Sequence, residues 1–515
     1  MDNCLDVIFC AYKRISNNAK VAFMAAFAFG FFTHIAIITN KLTNWDDTAV
    51  MPDAGGGRYF GRWFMEKVFF VFDKWGSESF NGIMSILLLA VFVSILIVIF
   101  NIHSITTIVL IAALIVSFPS VLSNLTFVYM SPTFFVAIIL ATIAVFVTVR
   151  YKYGFWVGPF IMLFSLATYQ AYFALATSIL LLFLICNIIK GDDISKLWRE
   201  GIKYLLMLML SLLIYFISIK FIGAELSGYR GMDNIGNLGM SAYFIAIARA
   251  YHRLLQYFVI GQPSYVYGFL SLMMYIVSII ILIMIVLSYI FMKKKDFAHI
   301  AALTAIYAIF PLAVSLVYVM APEESNASTI MTFSYCIMLI FPLVIFEVIG
   351  NSIKDQNNKL ALTISFIICI VMLLTSFAQY RMTNKAYYRT EVALERMTEY
   401  YNRLLYRIES TEGFEYGDSL AIVGDFYPEN VPVSTYEMEK VYWEDLEGLA
   451  TEENLFSLTV RNYFIRNHLG IDTVIYDYDE IYSLSETQEF KDMSCYPAEG
   501  CVQKINGVWV LKVAE

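Results

Sequence analysis

Charge is what this chain has least of. Asp, Glu, Lys and Arg make up 15% of its 515 residues, against 59% hydrophobic residues. So little charge cannot cover a water-facing surface, which excludes an ordinary soluble enzyme. Histidine is nearly missing, at 5 residues, and neither His34 nor His252 has a metal-like companion four residues on, so both read as structural. No Walker-type loop and no convincing dinucleotide fingerprint occurs, which argues against direct use of a nucleotide. A net charge of −8, drawn largely from C-terminal clusters such as "YWEDLEGLATEEN", argues against nucleic acid as a partner. Cysteine is sparse as well. Cys4 and Cys10 precede the first apolar run, and Cys186, Cys336 and Cys369 fall within apolar runs. Only Cys495 and Cys501, in "CYPAEGC", are placed for a disulfide, with two free thiols as the alternative.

Long apolar runs fill the space that charge leaves, such as "IMSILLLAVFVSILIVIF" from Ile83 to Phe100. A spanning helix takes roughly 20 such residues, and the sequence predicts about eleven of them, at 19–39, 83–101, 104–122, 131–149, 154–169, 171–189, 202–222, 267–291, 297–320, 329–349 and 359–379. The segment 154–189 reads either as two short helices broken near Tyr169 and Gln170 or as one long tilted helix. Basic residues favour the break. Lys13, Arg14 and Lys20, then Arg150 and Lys152, then Lys190, Lys196 and Arg199, then the run from Lys293, then Lys354 and Lys359 all fall on one side if the segment is split. The positive-inside rule makes that side cytoplasmic and puts the C-terminal region outside. The expected class is a mainly α polytopic membrane protein, with a membrane body over 1–380 and a small extracytoplasmic α/β domain over 381–515. In the latter, Val392, Leu394, Met397, Tyr401, Leu404, Leu405 and Ile408 predict an amphipathic helix, "SLAIVGDF", "DTVIYDYD" and "VWVLKV" predict strands, and Asn506-Gly507 predicts a hairpin. A structural cap is the role favoured for it over catalysis.

The first outer loop, 40–82, concentrates what charge there is. It opens "TNWDDTAVMPDAGGGRYFGRW" from Thr43 to Trp63. Ionisable groups so near a bilayer point to function. Arg58, Arg62 and Glu66 are spaced to share one face if the segment is helical, and Gly55-Gly56-Gly57 would let a phosphate approach the backbone. Asp46 or Asp47 can take a proton from an attacking hydroxyl while an arginine stabilises a departing lipid phosphate, which suits glycosyl transfer from a lipid-linked sugar. Asp53 is a lesser candidate, since "MPDAGGG" is also a sound turn. The three aspartates supply oxygen ligands for a divalent metal, but metal-free catalysis is preferred and no cofactor is expected.

A second outer segment, 223–266, joins a glycine-rich loop carrying Arg230 and Asp233 to a surface helix with Arg249 and Arg253 on one face. Arg230 either closes over the donor or belongs to a solvated loop, and Arg253 meets donor phosphate or lipid headgroups. Tyr169 and Gln170 either hydrogen-bond a sugar or satisfy a helix break, and Arg381 either reaches the lipid phosphate or snorkels.

The order of one span, a long outer loop with "NWDD" and "GRYFGRW", and many spans with "SLATYQAYF" among them resembles the membrane glycosyltransferases of the GT-C superfold. More narrowly it resembles the type II glucosyl transferase family associated with O-antigen modification and surface-polysaccharide decoration. The resemblance implies a bacterial cell-membrane enzyme, a polyprenyl-phosphate sugar donor such as undecaprenyl phosphate glucose, a glycan acceptor, an aspartate base and inversion at the anomeric carbon. By position Asp46 would be the base, Asp47 would orient the acceptor or share the role, and Arg58 or Arg62 would face the donor. Two rivals remain. A transporter or flippase of lipid-linked saccharide would carry ionisable residues deep in several spans or repeated halves, and neither is evident. A polysaccharide polymerase or ligase would centre on a large late loop rich in arginine.

Overall fold

Apolar segments of membrane length can satisfy their own backbone polar groups only as helix, and the computed structural model is a helical body with one small sheet. It describes residues 15–42, 44, 46–47, 60–72, 77–224, 239–260, 268–292, 297–321, 327–352, 359–424, 458–475 and 477–513. In chain order the helices are α1 (Asn17–Thr39), α2 (Met65–Val71), α3 (Glu78–Phe100), α4 (Ile105–Val116), α5 (Pro119–Thr126), α6 (Ser131–Arg150), α7 (Gly154–Leu166) and α8 (Phe173–Lys190). There follow α9 (Ile194–Ile222), α10 (Met240–Leu255), α11 (Phe269–Phe291), α12 (Phe297–Val314), α13 (Val317–Met320), α14 (Tyr335–Ser352) and α15 (Lys359–Glu409).

Among the described residues 9 helices are long and apolar enough to cross a bilayer, and α4 with α5 adds one more if that bent pair is a single span. This is a multi-pass membrane protein. Each apolar segment expected from the sequence is helical, but α7 has only 13 residues. That is about 20 Å of rise, short of a hydrocarbon core of roughly 30 Å. The break expected near Tyr169 and Gln170 is present: α7 stops at Leu166, Tyr169 is extended, and a 3-10 turn, Gln170–Tyr172, leads into α8.

Small residues set the closest helix contacts. A Cβ on Gly30 of α1 would lie 2.9 Å from Ile86 Cγ2, and one on Gly82 of α3 would lie 2.8 Å from Ile38 Cγ1. Gly154 and Gly158, one turn apart on α7, press on Val147 O and Thr148 Oγ1 of α6, where any side chain would collide. The 46° bend between α4 and α5 falls before Pro119. Proline has no N–H to continue α4 and forces the preceding Phe118 to be extended.

α15 runs unbroken for 51 residues, so the last span and the amphipathic helix expected as two pieces are one. Tyr387 on α15 and His34 on α1 are hydrogen-bonded at 2.7 Å, and His34 Nε2 lies 2.8 Å from Val116 O. The carbonyl can only accept, so Nε2 carries the proton and Nδ1 accepts from the phenol. His34 is structural, as its sequence context suggests.

Beyond α15 lie β1 (Leu420–Val423), α16 (Leu458–Tyr463), α17 (Tyr478–Ser485), α18 (Gln488–Asp492), β2 (Val502–Ile505) and β3 (Val508–Lys512). The sheet order is β1-β3-β2, with β1 parallel and β2 antiparallel to β3. The hairpin stands where expected, with φ of 51° at Asn506 and 86° at Gly507. The strand expected at "DTVIYDYD" is reduced to one bridge, Val474 to Leu420, because Asp477 accepts from Glu480 N at 3.0 Å and starts α17 instead. The disulfide expected between Cys495 and Cys501 is not formed. Cys501 is sealed in the core ahead of β2 while Cys495 stays part-exposed, and both are free thiols.

Candidate active site

Three interruptions in the helices face one another at the end of the body that carries the first loop. The 3-10 turn Thr329–Thr332 before α14 packs against α5 and against the Gln170–Tyr172 turn. Irregular backbone in a membrane frame is tolerated only where it is buried in protein or lines a cavity. The residues at this junction are polar: Ser120, Ser123, Asn124, Thr329 and Thr332 are all buried, and the hydroxyls of Ser120 and Ser123 have no hydrogen-bond partner among the described residues.

The first loop is pinned to the second of these breaks. Ala167 O, left open where α7 ends, accepts from Phe64 N at 2.9 Å and Met65 N at 3.3 Å. Gly61 takes φ of 69°, a left-handed turn open to glycine. Trp63 Nε1 donates to Ser218 Oγ of α9 at 3.0 Å. Gln170 uses its amide on the loop and on α9: Nε2 donates to Phe60 O at 2.7 Å and to Tyr215 OH of α9 at 2.9 Å, and Oε1 accepts from Arg62 Nε at 3.1 Å. Tyr215 OH in turn donates to Gly61 O at 3.3 Å. Of the two readings open for Gln170, its contacts are those of a group that holds a helix break and a loop.

Arg62 is thereby fixed from behind. Its guanidinium lies 4.6 Å from the Tyr169 ring centroid and 5.6 Å from that of Phe60. Tyr169 is itself held edge-on by Phe134 at 5.0 Å. Among the described residues the two Nη groups of Arg62 donate to nothing. The stripe expected from Arg58, Arg62 and Glu66 does not form as drawn, because α2 begins only at Met65 and Arg62 sits in the turn before it. Arg58, Asp53 and the glycine triplet lie outside the described residues, as do Arg230 and Asp233.

The aspartates are unequal. Asp47 is 4% exposed. Its Oδ1 accepts from Tyr129 N at 3.2 Å, and its Oδ2 from Asn44 N at 3.1 Å and Val128 N at 3.4 Å. Asn44 Oδ1 accepts from Asp47 N at 2.8 Å, closing a reciprocal turn. The 127–130 turn that receives Asp47 is tied to α3 by Asn81 Nδ2 donating to Val128 O at 2.9 Å. Asp46 is only partly buried. The charges of Asp46, Asp47 and Arg62 all reach the Tyr129 phenol, whose pKa burial and then the two carboxylates push well up against the pull of Arg62. Tyr129 is thus the side chain on which the charges of the acidic pair and of the arginine act together.

Burial pushes the Asp47 carboxyl up to about 7, against the backbone donors of Asn44, Tyr129 and Val128, with the Asp46 charge adding to the rise. The folded protein then holds a proton that the unfolded chain has released between the unperturbed 3.8 and about 7. Stability contributed by this group is full below the unfolded value and falls as pH climbs through that window. Thermal unfolding between about pH 4.5 and 7.5 should therefore show the wild type losing stability relative to Asp47→Asn as pH rises; parallel curves would contradict the assignment.

Two further expected site residues make contacts of their own. Arg253 Nη1 on α10 donates to Gln256 Oε1 at 2.9 Å. Arg381 is exposed on α15, with its guanidinium 6.0 Å from the Phe377 ring. No group of three or more His, Cys, Asp or Glu among the described residues is arranged to hold a metal ion. Tyr129, Tyr215 and Asn44 joined the centre without being singled out. Asn44, three residues before Asp47, carried a usable signal for a reciprocal turn; Tyr215, inside an apolar run, carried none.

Comparison with known proteins bears on these same segments. The family model described as "Glucosyl transferase GtrII" matches residues 35–345, more than half of the chain, from the end of α1 into α14. No curated protein and no solved structure matches significantly.

Proposed function

The chain belongs to the GtrII glucosyl transferase family and is a membrane glycosyltransferase of surface glycan, and from that premise we propose that it moves a hexose, glucose foremost, from a polyprenyl phosphate to its acceptor with the first loop as the transfer site. One observation carries the proposal: Arg62 is braced by Gln170 and Tyr169, its Nη groups meet no acceptor among the described residues, and its charge acts on Tyr129 together with those of both aspartates. An unused guanidinium fork is suited to an oxyanion such as a phosphate.

The chemistry follows from that placement. An acceptor hydroxyl gives its proton to Asp46 and attacks C1 of the sugar from the side opposite the phosphate. The C1–O bond to the acceptor forms as the C1–O bond to phosphate breaks, and the phosphate leaves with the electron pair, stabilised by Arg62. Attack from the far side inverts the anomeric carbon. Asp47 has the environment of a clamp that holds the loop on the 127–130 turn, and no metal ion is required where arginine meets the leaving charge. Arg58, Arg230, Arg253 and Arg381 are further candidates for guiding the donor headgroup to the centre.

The lysine and arginine bias of the opposite loops supports a transfer site on the outer face of the cell membrane, in a GT-C-like body over 1–380. The domain over 381–515 would lie on the same side. Burial and then the charge of Lys41, just past α1, hold His468 of that domain down to about 4, which supports this placement. The donor class is testable with purified protein in proteoliposomes offered either polyprenyl-phosphate [14C]glucose or UDP-[14C]glucose with a membrane glycan extract. Label should reach glycan from the lipid donor alone; transfer from the nucleotide sugar would refute the donor assignment.

A further inference from the structure

The family match ends at residue 345, yet the chain after it carries a built groove. It opens between the last turns of α15 and the 496–499 loop, with a volume of about 930 Å³. Arg403, Tyr406 and Arg407 line it from the helix, and Tyr496, Pro497 and Glu499 from the loop. Arg403 and Arg407 are one turn apart and so share a face. Among the described residues neither has an ion-pair partner, although Arg403 rests 5.6 Å over the Tyr400 ring. Tyr406 is 71% exposed. Tyr496 is fixed in place: its N–H donates to Lys512 O at 2.8 Å and its ring meets that of Tyr400 edge-on at 6.5 Å.

Two guanidinium groups with no ion pair among the described residues, set against one lining carboxylate, make a local positive site in a chain of net charge −8. Beside them the exposed Tyr406 and the half-buried Tyr496 give amphipathic faces, apolar in body and wet at the tip. We propose that this groove binds an acidic segment of the acceptor glycan, with sugar ring faces on Tyr406 and Tyr496 and carboxylate or phosphate groups on Arg403 and Arg407. The assignment rests on the reading of the chain as a transferase of surface glycan. An anionic lipid headgroup is the poorer occupant. Tyr387 bonds to His34 near the end of α1, and Arg403 lies about 24 Å of helix rise beyond it. Charges at a headgroup surface are screened within about 8 Å at physiological salt.

The test uses the full chain in detergent and measures binding of oligogalacturonate and phosphorylated dextran, with neutral dextran, polyglutamate and phosphatidylglycerol vesicles as comparisons. At least one acidic glycan should bind, and the double variant Arg403→Gln/Arg407→Gln should weaken it by about tenfold or more. Tyr406→Ser, at an exposed position that folding does not need, should weaken the same glycan and leave polyglutamate unaffected, while Glu499→Gln should strengthen glycan binding. Absence of acidic-glycan binding, indifference to the arginine pair, or equal binding of polyglutamate, vesicles or neutral dextran would overturn the proposal. Groove binding by a wild type that does not transfer would fault the transferase reading alone, and transfer by wild type without groove binding would fault the groove alone.

Discussion

Asp46→Asn is expected to lower kcat by roughly a thousandfold, within the range for loss of a general base, while leaving donor affinity unchanged. The choice of Asp46 over its neighbour is physical. Asp47 is 4% exposed, and both of its oxygens already accept backbone N–H groups from Asn44, Val128 and Tyr129. An acceptor sugar cannot reach it without undoing the clamp. Asp46 is only partly buried, and its charge acts on Tyr129, as that of Arg62 does. Asparagine keeps the size and one oxygen of Asp46 and removes its basicity, so a fold defect would not masquerade as loss of the base. Asp47→Asn places an amide N–H₂ or a single oxygen where two oxygens receive donors, so it should act through the loop. Its kcat loss should come with faster tryptic cleavage in the first loop, which Asp46→Asn should not show. Rates of single-turnover transfer at saturating donor separate the two; equal behaviour of both variants would contradict the division of labour.

Arg62→Ala is the second large effect, a fall in kcat of about 10²- to 10³-fold, as for removal of an oxyanion-stabilising donor. Arg62→Lys should recover little. Lysine keeps the charge but has no planar fork, so it can neither hold the Gln170 amide from Nε nor lie flat on Tyr169 while offering two further N–H groups. Gln170→Leu keeps the arginine and removes its brace together with the bonds to Phe60 O and Tyr215. It should therefore share part of the Arg62→Ala loss, and combining the two should cost less than the product of the single effects. A Gln170→Leu enzyme with wild-type kcat would show that Arg62 does not need its position fixed.

Much of this centre was legible in the sequence. "NWDD", "GRYFGRW" and "TYQ" stand out by their chemistry and by the family resemblance they carry, and the structure joins the last two through Arg62 and Gln170, 108 positions apart. The break at Tyr169 followed from the charge balance of the loops, and the hairpin followed from Asn506-Gly507. What the pattern could not give was the partner of each polar group. Adjacent aspartates point apart in any backbone, but which one turns inward depends on the N–H groups of a turn 81 and 82 positions away. The helical stripe of Arg58, Arg62 and Glu66 assumed a regular backbone, whereas Gly61 turns the chain and the open Ala167 carbonyl delays the helix to Met65. Tyr215 was hidden because an apolar run looks the same whether its one hydroxyl faces lipid or a loop carbonyl. The pairing of Cys495 with Cys501 failed because spacing says nothing of which side chain enters the core.

Bond cleavage is the point on which the account stands, since a protein that only moved lipid-linked sugar would share its membrane frame. The most direct measurement follows doubly labelled donor, with [3H] in the polyprenyl chain and [14C] in the glucose, in proteoliposomes carrying wild type or Asp46→Asn and supplied with glycan extract. The prediction is that wild type separates the labels, with [14C] on glycan and [3H] on free polyprenyl phosphate, and that Asp46→Asn binds the donor with both labels still joined. Movement of both labels together across the bilayer by wild type, with none separated, would contradict it.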